Sequence, residues 1–390
     1  MERFGTVHPG PVRASVCRRV PHALALGLGM GAAACGGAGR TGGAPGDSVY
    51  IGVATSPTSR TGPSVRGVQL AIERLNAGRP AGQPPFALRM APAEQPSQVA
   101  VAAFFRDDPA VIGVVGHEKS GETLEAAPVY SDFEGNGRRA LVAITPTATN
   151  PGLTRVSPWI FRVCPTDIDR AGAIAQFLAD SATDRRVALL YRNDLMGRGF
   201  RGALGARVRA AGGTVVENDP YIVGMTEYGA YAARIRQRGA PTVVMAGAAG
   251  ESPEIVRALR EAGVQARLIV HDDASYLARD PVVGPALRGV RYLTFYVPNE
   301  QGAGEEAWFV RTFRQRFGAP PDGRDAFSFE AATLIGSAVR AVGADRKKVR
   351  DWIARVGNGN PPMPGITGEI RFSDDRTAMG KRVWIREVNQ

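Results

Sequence analysis

Cysteine and histidine are scarce, with three and four residues in a chain of 390. Cys17 and Cys35 lie within or at the end of an N-terminal leader, so Cys164 has no partner for an intrachain disulfide, and no cysteine-based metal site can be built. Past the leader, His117 and His271 are the remaining imidazoles. A membrane-spanning apolar run is missing too. The stretch ALALGLGMGAAAC at residues 23–35 holds about 12 apolar or small residues, too few for a permanent span. Basic segments interleaved with aromatics are absent, as is any nucleic-acid motif, although the formal net charge is +11. Arginines spread along the chain carry that excess. It reads as a solvated basic surface, and no nucleic-acid partner is expected.

The leader itself is informative. Arg18-Arg19 precede the 23–35 run, a basic flank before a short apolar core, which is the pattern of an export signal. Ala32-Ala33-Ala34 then precede Cys35, and GGAGRTGGAPGDS follows it. Small residues before a Cys with a flexible tether after it resemble a bacterial lipoprotein signal, with Ala32 standing where Leu is usual. The resemblance implies a signal peptide at 1–35, lipidation of Cys35, and a chain anchored to the bacterial membrane facing the periplasm or cell exterior. Residues 36–47 then form a Gly-rich flexible linker.

From residue 48 onward, short apolar runs alternate with helical patterns. VYIGVAT, FALRMAP, VIGVVG and RALVAITP read as strands. Between them, VRGVQLAIERLNAG, PSQVAVAAFFRDDP and SGETLEAAPVYSDF read as helices, the first with a Gly stop and the second entered through Pro96-Ser97. Past Cys164-Pro165 the alternation resumes through RVALLYRND, TVVENDPYI, PTVVMAG, RLIVHDD and GVRYLTFYVP as strands. Two helical segments follow, and the end, GITGEIRFSDDRTAMGKRVWIREV, reads as a hairpin. Such alternation means βαβ units and parallel sheets covered by helices on both faces. Four or five units on each side of Cys164 are too many for one compact sheet, so two similar α/β lobes are expected. Ligands of such sheets bind beyond the carboxyl ends of the strands.

One connection bears on function. VIGVVG leaves its strand through Gly-His-Glu-Lys-Ser and enters a helix directly. Ser120 sits at an expected N-cap with Thr123 three residues on. A helix N-terminus offers free N–H groups and partial positive charge, so a carboxylate can rest there, although a capping serine alone explains the pattern equally well. The next strand ends in Thr-Pro-Thr-Ala-Thr-Asn-Pro, where Pro146 stops pairing and frees the groups at Thr147 and Thr149.

These two segments, in order with VYIGVATSPTSRTGP, LAIERLNAG, WIFRVCPTDIDRAG, VALLYRNDLMGRGF, VVMAGAAGESPEIVRALREAGV and GITGEIRF, resemble the type I periplasmic binding proteins. Those proteins bind branched-chain amino acids and related ligands for ABC transporters. The resemblance implies two Rossmann-like lobes with parallel sheets flanked by helices, joined by crossing hinge strands. It places lobe one at 48–163 plus about 297–370 and lobe two at 164–296 plus about 371–390. It implies no catalysis and no cofactor. The expected partners are an amino-acid-like small molecule and an ABC transporter permease, with the chain monomeric.

By the same resemblance, Ser120 and Thr149 hold the ligand carboxylate and help with the ammonium, and Thr147 offers backbone groups. Asp272 or Asp273 balances the ammonium. Apart from the resemblance, Tyr276 is expected to line the pocket. Phe329 is either a pocket residue or core. The chain departs from the family where a Tyr is common and Met196 stands, and where an aromatic is common and Ala248 stands. The first loop, between Gly62 and Gly67, is shorter than usual. Rival readings of the same residues are an enzyme using Ser120, His117 and Asp272, and a metal site using His117, Glu118, His271, Asp272 and Asp273. Glu118 occupies the place where a hydrolase elbow needs Gly, which disfavours the first. A ligand-sensing or envelope-regulatory lipoprotein of the same fold is the alternative to transport.

Overall fold

The computed structural model describes residues 48–55, 62–181 and 183–388. The leader, Cys35, the linker 36–47 and residues 56–61 of the first loop lie outside them. Strands β1 (Val49–Val53), β2 (Phe86–Met90), β3 (Val111–Val115), β4 (Ala143–Thr145) and β5 (Ile160–Arg162) form one sheet. Its order is β2-β1-β3-β4-β5 and every pair is parallel. Helices α1 (Pro63–Ala77), α2 (Gln98–Asp107) and α3 (Ser120–Tyr130) make its crossovers. The uninterrupted apolar run of β3 follows from helices on both faces, since all five of its residues are buried.

Helix α4 (Asp167–Ser181) opens the second lobe. Its sheet holds β6 (Arg186–Arg192), β7 (Thr214–Tyr221), β8 (Thr242–Ala246), β9 (Arg267–Val270), β10 (Arg291–Thr294) and β11 (Trp384–Glu387). The order is β11-β10-β9-β8-β6-β7, parallel except for β11. Helices α5 (Leu195–Ala210), α6 (Gly229–Arg238), α7 (Ser252–Glu261) and the single turn α8 (Ser275–Ala278) connect the strands. Asp194 caps α5, its carboxylate accepting the Gly197 N–H at 2.8 Å, worth ~1 kcal/mol. Apolar side chains fill a separate core on each face of this sheet, around Val243 and Ile255 on one side and Leu189 and Phe200 on the other.

The chain then returns to the first lobe as α9 (Gly304–Phe317), α10 (Gly323–Val342) and α11 (Arg346–Ala354). Helix α10 is buried along most of its length and lies tightly on α1. A Cβ at Gly67 would stand 2.2 Å from the Asp325 carbonyl, so only glycine permits that approach. The stretch from Gly62 to Gly67, expected as a short loop, is therefore the opening turn of α1, entered through Pro63. Phe329 packs on Phe309 at 4.8 Å between ring centres, which assigns it to the core.

The C-terminal segment departs from the single hairpin expected. Short antiparallel bridges join Met363 to Ile370 and Phe372 to Ala378, and β11 then pairs with β10, the open edge of the second sheet. Phe372 and Ala378 belong to the first core, so the return to the second lobe comes after Ala378, later than residue 370. The bond from Arg162 to the Thr377 hydroxyl holds the segment there. Among the described residues, no helix is long and apolar enough to cross a membrane.

Candidate functional site

The carboxyl ends of both sheets open onto one cleft of about 480 Å³. On the first-lobe side, β3 exits through Gly116 at φ +137°, where a Cβ would lie 2.5 Å from the Ala54 carbonyl. The chain can then turn straight into α3. The N-cap of that helix is Lys119, without a side-chain cap bond, and Ser120 is the first helical residue. That corrects the expectation that Ser120 caps α3. Its buried hydroxyl instead accepts the Asn150 N–H at 3.3 Å, tying α3 to the threonine-rich loop after β4. The first N–H groups of α3 thus keep no intrahelical partner and meet the cleft.

The same loop is held at several points. Thr145 Oγ1 donates to the His117 carbonyl at 2.7 Å and accepts the Ala148 N–H at 3.0 Å. Thr147 Oγ1 donates to the Glu118 carbonyl at 2.7 Å. Arg162, 1% exposed, donates to the carbonyls of Ala148 and Asn150 and to Thr377 Oγ1 at 2.8 Å. It has no ion-pair partner among the described residues, and burial lowers its pKa. With the Ala148 carbonyl fixed on Arg162, the trans peptide turns the Thr149 N–H the other way. Thr149 is buried, lines the cleft, and makes no side-chain hydrogen bond among the described residues.

The second-lobe wall is built of charged side chains. Asp272 keeps its side chain 40% exposed; its carboxylate accepts the Ala249 N–H at 3.4 Å and lies 3.5 Å from Arg170. Asp273 accepts the Thr294 hydroxyl at 2.6 Å and the Ser275 N–H at 2.9 Å. Burial, and then the nearby Asp322, raise its pKa. Of the two acids, Asp272 is the one with open surface, and Asp273 braces β10 and α8. Met196 is half-buried in the first turn of α5, and Ala248 donates its N–H to Glu251 at 3.0 Å. Tyr276 is 38% exposed on α8, with the Arg324 guanidinium 5.1 Å from its ring centre. All eight residues expected to bind ligand line this one cleft.

Three arginines in the cleft, Arg170, Arg192 and Arg324, were missed by the sequence reading. Arg192 is bonded to Asp194 at 2.6 Å. Arg324, at the start of α10, is bonded to Asp322 at 2.7 Å and reaches the second lobe through Tyr276. Arg170 follows Asp167 by three residues on the inward face of α4, a helical spacing that marks burial and says nothing about a cleft. Asn150 Nδ2 also crosses between the lobes, donating to the Leu195 carbonyl at 3.3 Å.

His117 has both ring nitrogens engaged away from Ser120, with Gln98 at 2.7 Å and Tyr130 at 2.9 Å, and burial pushes its pKa down to about 3. The Ser120, His117 and Asp272 arrangement is therefore not formed. Among the described residues, no group of three or more His, Cys, Asp or Glu side chains could hold a metal ion.

The sequence matches the periplasmic binding protein family over residues 49–390. A Leu/Ile/Val-binding protein homolog from Brucella suis is 26% identical over 368 residues, covering 89% of this chain and 95% of that one. An ABC transporter substrate-binding protein from Desulfitobacterium hafniense, solved in complex with Leu, superposes with a TM-score of 0.73 at 24% identity, over 87% of this chain and 97% of that one. A solute binding protein from R. palustris, solved with benzoate, gives 0.72 at 17% identity, over 88% and 93%. With two parallel-sheet lobes and the cleft at their strand ends, the chain belongs to the type I periplasmic binding proteins, the extracytoplasmic, non-catalytic solute-binding family that includes the Leu/Ile/Val-binding proteins.

Proposed function

We propose that the chain is an extracytoplasmic lipoprotein, lipidated on Cys35, that captures an amino acid or related small carboxylate and delivers it as a monomer to an ABC transporter permease. The observation that carries the reading is the first-lobe wall: uncapped N–H groups of α3 beside Ser120 and the buried Thr149, with Asp272 exposed on the facing wall. The carboxylate rests on the first lobe, where donors are preset and need no counter-ion. An ammonium then meets Asp272 as the lobes close, and closure is favoured only by contacts made in the closed state.

A similar fold solved with Leu and another solved with benzoate define the range of acids to try. Met196 and Ala248 leave the side-chain end of the pocket without the aromatics common in the family, which favours a ligand other than leucine, isoleucine or valine. Calorimetry against amino acids, small amides and aromatic acids tests the reading. Submillimolar binding of a carboxylate, lost on Ser120→Ala with Thr149→Val, is the expected result; binding of neutral amides alone would overturn it. Retention in the membrane fraction, abolished by Cys35→Ala, tests the anchor.

A further inference from the structure

We infer that the second-lobe wall carries an anion subsite built on Arg170, and that the ligand is an acid with a second carboxylate. The inference rests on the carboxylate reading of the first wall and sharpens it.

Arg170 is 6% exposed, yet it lines the cleft. Its ring of contacts leaves donors over. Phe295 lies 4.4 Å below the guanidinium and fixes its plane. One terminal nitrogen stands 2.6 Å from His271 Nε2. The imidazole is buried, and its pKa is lowered by burial and then by Arg170 itself, so it is neutral and accepts this bond. The carboxylate of Asp272 accepts one long bond from the other terminal nitrogen at 3.5 Å, and that of Asp167 stands 3.9 Å away, beyond hydrogen-bond reach. The Nε–H has no partner, in a side chain more than nine-tenths buried. A guanidinium so placed holds unused donors in a fixed plane, the geometry that suits a carboxylate.

Apart from the exposed Glu125, the other charged groups of the cleft have partners of their own. Arg192 is bonded to Asp194, Arg324 to Asp322 and Lys119 to Glu122. Asp273 is satisfied by Thr294 and Ser275, and Glu118 accepts from Ser64. Arg170 is the cation with an unfilled donor among them. Asp272 stands beside it and accepts an ammonium without leaving Arg170 unbalanced. A ligand carrying one carboxylate on α3, an amine at Asp272 and a second carboxylate at Arg170 meets a partner at each group.

The test is calorimetry on the full-length mature chain with L-glutamate, L-aspartate and succinate against L-leucine and benzoate. At least one diacid is expected to bind tenfold or more tighter than both monoacids. Arg170→Gln should weaken that diacid by about 30-fold and change binding of benzoate, which has no group for the second wall, less than threefold, with Arg170→Lys in between. Equal affinity for diacids and monoacids, or an equal loss of both in Arg170→Gln, would make Arg170 a structural brace and overturn the subsite while the carboxylate reading stands. If no acid of either kind binds, the carboxylate reading itself falls, and this one with it. Circular dichroism of the variants, unchanged from the parent, secures the comparison.

Discussion

The two walls of the cleft are built on different principles. The first-lobe wall uses backbone N–H groups and hydroxyls, stitched by Thr145, Thr147 and Arg162, and so meets a carboxylate with neutral donors. The second-lobe wall uses Arg170, His271 and Asp272 in one polar network. The neutral wall is preorganised, because its donors are fixed by the loop they belong to. The charged wall depends on long side chains whose positions are set by one another. One wall is thus suited to a group every ligand shares, and the other to the group that tells ligands apart.

The comparison can be broken most severely at Arg162. Arg162→Met should strip donor partners from the loop carbonyls of Ala148 and Asn150, costing roughly 3 kcal/mol of stability and at least tenfold in affinity for every acid alike. Chemical denaturation paired with calorimetry reads both. A change at the second wall should be selective instead. Asp272→Asn is expected to weaken amino acids by about 30- to 100-fold, a loss moderated by the exposure of the group, while leaving acids without an amine nearly unaffected. Uniform weakening would show that the network, and not the counter-charge, matters.

The buried histidines, His117 behind the first wall and His271 within the second, give a smaller and pH-dependent effect. His117 has a folded-state pKa of about 3 because burial disfavours its charge. An unfolded chain takes up that proton near the ordinary pKa of about 6.5, so stability is lost as pH falls from 6.5 toward 3. At pH 5 the loss amounts to roughly 2 kcal/mol. His117→Gln should flatten the melting temperature between pH 6.5 and 5, measured by scanning calorimetry; His271 is shifted in the same direction and should leave a residual slope. Ser120→Ala removes one hydroxyl from the neutral wall and should cost about tenfold in carboxylate affinity, near 1.4 kcal/mol. The smallest effect belongs to Asn150→Ala. Its bond to Leu195 joins the walls, and its loss should weaken binding by about threefold through the dissociation rate, visible by stopped flow.

The same contrast explains what the sequence made legible. The first wall follows from local signals: a Gly exit, a helix start and a proline-terminated strand each occur within a few residues, so Ser120, Thr147 and Thr149 are found together. Even there the cap fell one position early, because Ser120 spends its hydroxyl on Asn150, 30 residues away. The second wall joins α4 to the end of β9 across some 100 residues, and Arg170 carries no local mark of that pairing. Asp272 and Asp273 look alike in RLIVHDD, and only their surroundings separate the open acid from the bracing one. Parallel alternation revealed the sheets, but the final segment followed the unpaired edge of β10 in preference to its own hairpin.

The first core is not complete until Phe372 and Ala378 are in place, whereas the second lobe needs nothing beyond β10 except its edge strand β11. Synthesis therefore delivers all of the later lobe but β11 before the earlier one can be completed. A nascent chain stopped near residue 300 has α4 to β10 entire but lacks α10, against which α1 must lie. The half that begins first thus closes its core only when nearly the whole chain has been made, and the last strand to arrive, β11, merely edges a sheet whose other strands are already present.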